Sequence, residues 1–430
     1  MNLLLAIPLG GRMILLFVLG ALLGGLANLA TYRLAWNNRC ISPWSKPDPR
    51  LSKLKIPGRN LFDRVPIWGW LGLAREAPLH GRGFWIRPMM VELFCAFGLA
   101  WLYYWEIERM ALLPEVFRQP GKMIFMPMLH LQFAVHTLIM WLMLVASLID
   151  ADEKTIPDEI TVPGTLFALL IAGIYPLSLL PVTAPAGMAA APPKLSFLTI
   201  TAPLKMPAWL GGRPETASLM IGLGCCWLAC FALMHRRWHA RYGLLRDFAI
   251  FWKRLSRKPS TWWLCALGLL GSVVIAAVWA FNATAWEGLI TALVGMAASA
   301  GIIWAIRVIA STVMRREAMG FGDVTLMAML GAFLGWQTCL IILFFAPMCA
   351  LAVGLVVLLL KREHEIPFGP FLCMSATAVI VHWATIWDWA TPRFELGLLI
   401  PGVVLGCLVL LPVMLLISRA IRIMVGRIFR

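Results

Sequence analysis

The sequence predicts an all-α polytopic transmembrane bundle of about eleven spans, and three observations carry that expectation. Of the 430 residues, 61% are hydrophobic, against about half in soluble domains. Only 13% are charged, roughly half the usual share. The apolar residues gather in runs close to the ~20 that a helix needs to cross a bilayer. A soluble enzyme, a disordered chain and a secreted disulfide scaffold are thereby excluded.

The first run, residues 14–34, has no cationic segment before it and no evident cleavage site, so it is expected to be a retained span. Residues 36–87 carry ten Lys/Arg against Asp48, Asp63 and Glu76. The positive-inside rule makes this loop cytoplasmic and puts the N-terminus outside. The next spans are expected at 88–105, 123–149, 161–181, 217–234, 261–281, 289–312, 323–343, 345–360, 370–386 and 398–418. Strict alternation then places three further basic segments inside. These are 235–260, with eight Lys/Arg and one Asp, then 361–369, with Lys361 and Arg362, and a cytoplasmic C-terminal tail. The poorly charged loops 182–216 and 282–288 fall outside, the first rich in proline.

The expected organisation is a first span (1–35), a basic cytoplasmic loop (36–87) and a membrane segment (88–181). An outer loop with two spans and a basic inner loop (182–288) follows, then a second membrane segment (289–386) and a last span with a basic tail (387–430). The net charge of +16 fits cytoplasmic loops against anionic lipid, with no nucleic-acid partner. The cations cluster between apolar runs and do not interleave with aromatics.

Nine of the ten cysteines lie in apolar runs, where they act as small hydrophobes. Cys40 alone is in a polar stretch. No CxxC pair occurs, so no cysteine zinc site is expected. His235 and His239 have helical i,i+4 spacing but sit in a basic loop, and His80 is far from both. No metal site is predicted.

In so apolar a chain, acids beside a span are functional candidates. Two clusters fall on the same predicted side. One closes the third span, Ser147-Leu-Ile-Asp150-Ala-Asp152-Glu153, and leads to Pro157-Asp158. The other is Met319-Gly320-Phe321-Gly322-Asp323. Asp158 reads as a helix-start acid, and Asp152 and Glu153 as solvated loop acids. Asp150 directly follows an unbroken apolar run. Gly320 and Gly322 allow close approach by another chain near Asp323. Two carboxylates in contact share a proton, so one can activate water while the other polarises a carbonyl, the arrangement of an aspartic protease.

The chain resembles the prepilin peptidases, the GxGD membrane aspartic proteases also called type IV leader peptidases. The segment from Gly24 through Asn28 to Tyr32-Arg33-Leu34 is similar to the family's first-span signature. Val65-Pro-Ile-Trp-Gly-Trp70 resembles its cytoplasmic loop. Arg87-Pro-Met-Met-Val-Glu92-Leu resembles the start of its second span. Asp150 with Ile156-Pro157-Asp158, Gly320-Phe-Gly322-Asp323, and Ile366-Pro-Phe-Gly-Pro-Phe371 complete six ordered matches.

The resemblance implies that Asp150 and Asp323 are the catalytic pair, with Gly320, Gly322, Pro157 and Asp158 completing the active-site motif. It implies cleavage of leaders from type IV prepilins or pseudopilins after a glycine, in the bacterial inner membrane. Many members then methylate the new N-terminus with S-adenosylmethionine. Asn28, Arg33, Arg87 and Glu92 are the candidate residues for that step or for substrate. Proteolysis itself needs no cofactor.

Three departures stand out. The family's CxxC pairs are absent. Thr325 occupies the position of the lysine in G-x-G-D-x-K. The two aspartates are 173 residues apart, well beyond the family's usual spacing, and an even number of inserted spans is required to keep them on one side. The alternative readings are a proton-coupled transporter, with Asp150 and Asp323 as protonation sites, and an inactive family member in pilus assembly.

Overall fold

Glycines set how closely the first two helices approach. Helix α1 (Leu9–Leu34) crosses α2 (Ile86–Tyr103) with almost no space between backbones. A Cβ on Gly20 would stand 2.4 Å from the Cys95 carbonyl oxygen, and one on Gly24 2.6 Å from Glu92 Cα. Only glycine permits that contact. The computed structural model describes residues 7–37, 39–46, 48, 50, 56–118, 125–184, 194–234, 258–315, 317, 319–361 and 367–428.

After α2 and its π-helical end at Tyr104–Glu108 come α3 (Met126–Glu153), α4 (Asp158–Ile174), α5 (Thr216–Leu233) and α6 (Pro259–Phe281). Then follow α7 (Ala283–Met314), α8 (Phe321–Leu334), α9 (Trp336–Lys361), α10 (Gly369–Val381), α11 (Trp383–Phe394) and α12 (Leu399–Ile428). A short antiparallel pair, β1 (Pro181–Thr183) and β2 (Leu195–Phe197), is the one strand pair among the described residues. Among the described residues, eight helices are long and apolar enough to cross a membrane, or nine if α10 and α11, bent by 94° to each other, form one span. The protein is an all-α, multi-pass membrane bundle.

Helix α8 is the centre. It lies on α7 and α4, while α3 packs on α10. At the α7–α8 crossing, a Cβ on Gly331 would fall 2.2 Å from the Gly295 carbonyl oxygen, so the two backbones touch. Eleven of the fourteen α8 residues are buried.

Each predicted apolar run lies on helix, but several boundaries move. The expected break near residue 344 is at Gly335, whose φ of +81° suits glycine alone. This leaves α8 at 14 residues, about 21 Å, short of a ~30 Å hydrocarbon layer. The run 161–181 stops being α-helical at Ile174 and passes through a 3-10 turn into β1. The run 370–386 breaks at His382. The indoles of Trp105 and Trp383 donate there, to the carbonyls of Val381 and Pro181, each within 2.8 Å. Loop 235–257, with His235 and His239, lies outside the described residues.

The polar loop after α1 is folded rather than merely solvated. Arg59 and Glu76 form a buried pair at 2.8 Å, and Arg75 pairs with Asp63. Trp70 is fully buried. Burial alone would raise the Asp63 carboxyl, but the Arg75 guanidinium and the Asn60 N–H hold it below the usual range. Burial pushes the His80 imidazole down.

Candidate active site

Asp150 sits in the last turn of α3, which continues to Glu153 and ends at Lys154 in the left-handed conformation, φ +56°. The two acids beyond Asp150 are therefore not free loop acids, as the sequence suggested. Glu153 accepts hydrogen bonds from the backbone N–H groups of Trp36 (2.6 Å) and Asn37 (2.9 Å), just past α1. Asp152 pairs with Arg87 at 2.5 Å, and Arg87 also donates to the Leu148 carbonyl. The segment just past α1 and the first turn of α2 clamp the end of α3 on two sides.

The turn 154–157 then hands over to α4. Pro157 is the residue before its first turn, and Asp158 is the first helical residue. Asp158 is exposed and is the helix-start acid that the sequence suggested. It faces Thr325, whose hydroxyl lies 3.1 Å from the Gly322 carbonyl.

Gly320 precedes α8 and Asp323 lies in its first turn. The two glycines differ in their reason. Nothing comes closer than 3.9 Å to a Cβ placed on Gly320, whereas one on Gly322 would stand 2.8 Å from Ile156 Cβ and 3.0 Å from its nitrogen. Gly322 thus lets α8 rest on the turn that follows Asp150. Ile156 is buried, and its Cδ1 also lies beside Gly369 at the start of α10.

This packing brings the two aspartates within electrostatic reach of each other. Asp150 is 5% exposed and Asp323 8%, and the Asp150 charge acts directly on Asp323. Cys373 of α10 lies near Ser147 and both carboxylates. Asp150 Oδ2 is buried without a hydrogen-bond partner.

The four outlying candidates do not join this pair. Glu92 is buried in α2 and accepts from Trp70 Nε1–H (2.8 Å), Asn28 Nδ2–H (3.3 Å) and the Ile67 N–H (2.5 Å). Asn28 also donates to the Pro88 carbonyl. Arg87 belongs to the α3 clamp, and Arg33 is exposed. Among the described residues no group of three or more His, Cys, Asp and Glu is arranged to hold a metal ion. Sequence reasoning missed Ile156, Gly369 and Cys373 as parts of the site. The first two lie in segments already matched to motifs, but only their contacts give them a role.

Two buried aspartates on separate helices, within electrostatic reach of each other, lie at helix ends in a multi-pass membrane bundle. The model of the type IV leader peptidase family matches residues 137–235 and 260–355, with both aspartates inside the match. The matched residues make up just under half of the chain, and over them the chain is similar to that family. A "Prepilin leader peptidase/N-methyltransferase" of Aeromonas hydrophila is 31% identical over 24% of this chain and 37% of its own length. The protein of that name from Legionella pneumophila is 38% identical over 17% of this chain and 27% of its own. That from Stutzerimonas stutzeri is 26% identical over 36% and 56%. The chain thus spans from about a quarter to just over half the length of these relatives. No solved structure matches it.

Proposed function

We propose that the protein is an aspartic endopeptidase of the bacterial inner membrane that removes the leader from type IV prepilins or pseudopilins at the cytoplasmic face. The observation that carries this reading is the meeting of Asp150 and Asp323 at the ends of α3 and α8. Like charges so placed share a proton. The ionised carboxylate takes a proton from water as it attacks the scissile carbonyl, and the protonated one donates to the developing oxyanion. Neither step needs a metal or cofactor. A transporter would set its acids along a path near the midplane, and this pair sits together at one end of the bundle.

The cytoplasmic assignment follows from charge. The basic loop 36–87 contacts the end of α3 that carries Asp150, and basic loops mark the cytoplasmic side.

S-adenosylmethionine, which the relatives' names suggest, would need free polar groups to hold it. Glu92 and the Asn28 amide hydrogens are engaged within the protein. That position does not fit the cofactor, and no methyl transfer is derived through it. Asn28 and Glu92 instead seat the basic loop, and Arg87 fixes α3.

The test is leader release from a model prepilin by three single variants at matched expression. Asp150→Asn and Asp323→Asn are each expected to lose activity by about 10²–10⁴-fold, the typical value of a positioned acid or base. Asp158→Asn is expected to retain much of it. Near-normal cleavage by either of the first two would refute the proposal.

A further inference from the structure

A glycine on another helix lies against the Asp150 carboxylate. A Cβ at Gly369 would stand 2.6 Å from Asp150 Oδ2, 3.3 Å from its Cγ and 3.0 Å from Ile156 Cδ1. The Gly369 backbone N–H faces the same carboxylate. Gly369 opens α10 and is followed by Pro370, so its N–H has no partner within the helix. Oδ2 itself is buried and has no hydrogen-bond partner.

We propose that Gly369 is a positioning residue for the reaction: the space left by its missing side chain, with its backbone N–H, fixes where the Asp150 carboxylate stands. This rests on Asp150 being one of the two catalytic carboxylates.

The consequence of filling that space follows from which atoms would be met. Gly369 is not among the residues with a left-handed backbone, so alanine fits its conformation. The three nearest atoms all belong to the side chains of Asp150 and Ile156. Each can swing away, and the fold survives. Ordinary contact begins at 3.4 Å, so Oδ2 must retreat by about 0.8 Å. Misplacement of about 1 Å in an active site costs ~10²-fold in rate.

The experiment uses the full chain, reconstituted and assayed on a model prepilin. Gly369→Ala is expected to lower kcat by ~10²-fold with KM within about twofold and an unchanged thermal midpoint, because the reacting carboxylate moves and the substrate contacts do not. Adding Ile156→Val removes Cδ1, the other crowded atom. No recovery is expected relative to Ile156→Val alone. Normal kcat in Gly369→Ala, or recovery through Ile156→Val, overturns the proposal.

Should Gly369→Ala fail to fold, glycolate introduced at 369 by cell-free translation decides. It replaces the N–H by oxygen and adds no atom. A fall of about tenfold or more, in line with a lost hydrogen bond to a charged group, supports the proposal, and unchanged kcat overturns it. Asp150→Asn separates the two readings. Retained cleavage there defeats the protease reading itself, whereas loss there with normal turnover in the 369 variants defeats only the positioning role.

Discussion

At the residue scale, the two glycines of Gly320-Phe-Gly322-Asp323 look equivalent in sequence, and the structure separates them. Gly322 abuts the Ile156 backbone, while a Cβ on Gly320 would meet only ordinary contacts, the Gly322 nitrogen at 3.9 Å and Asp323 Oδ2 at 4.0 Å. Gly320→Ala is therefore expected to keep the fold and leader release within a fewfold of normal. Gly322→Ala must push α8 off the 154–157 turn, part the aspartates and lower turnover by at least ~10²-fold. Paired assays of the two variants check this, and equal loss in both would contradict it. Asp150 and Asp323 were legible as acids beside apolar runs, because desolvation makes an unneeded carboxylate costly there. Asp152 and Glu153 were misread for a related reason. Their partners, Arg87 and the amides of Trp36 and Asn37, are remote in sequence, and no local pattern announces them.

At the element scale, α8 is held against α7 by backbone contact at Gly295 and Gly331. Gly331→Leu is expected to destabilise the bundle by about 3 kcal/mol or more, since overpacking commonly costs 1–3 kcal/mol and here the obstacle is backbone. Gly301→Leu, on the same α7 but with nothing within 4 Å, is the control expected to change little. Thermal unfolding in detergent compares them.

The folded loop before α2 gives a pH prediction. A carboxyl held below its ordinary value, like Asp63, stabilises the fold above the unfolded value near 3.9 and loses that contribution as pH falls through its folded value. His80 is also depressed, so its contribution is present above about pH 6.5 and is lost as pH falls below it. Hydrogen exchange over 56–80, corrected for intrinsic rate, should show loosening in two stages on acidification. Asp63→Asn should remove the lower stage and His80→Gln the upper. A pH-independent loop would contradict both.

At the scale of the whole molecule, the topology proposed from charge bias is open to a direct check. In a cysteine-free background, Lys46→Cys and Lys258→Cys should be shielded from a membrane-impermeant maleimide added to the outer face, and Thr284→Cys should react. Labelling of residues 46 and 258 from opposite faces would defeat the alternation.

The sequence by itself determined the class of this protein. Its apolar content demands helices in a bilayer, because only internally hydrogen-bonded backbone survives there. Its two acid clusters stood out as candidates for the same reason of solvation. What only the tertiary structure decided is how the clusters meet. Hydropathy has no sharp signal for a break at Gly335, for the bend at His382, or for which glycine faces a backbone and which faces space. Those are properties of neighbouring helices, and they follow from atoms in contact across the fold rather than from residues adjacent along the chain.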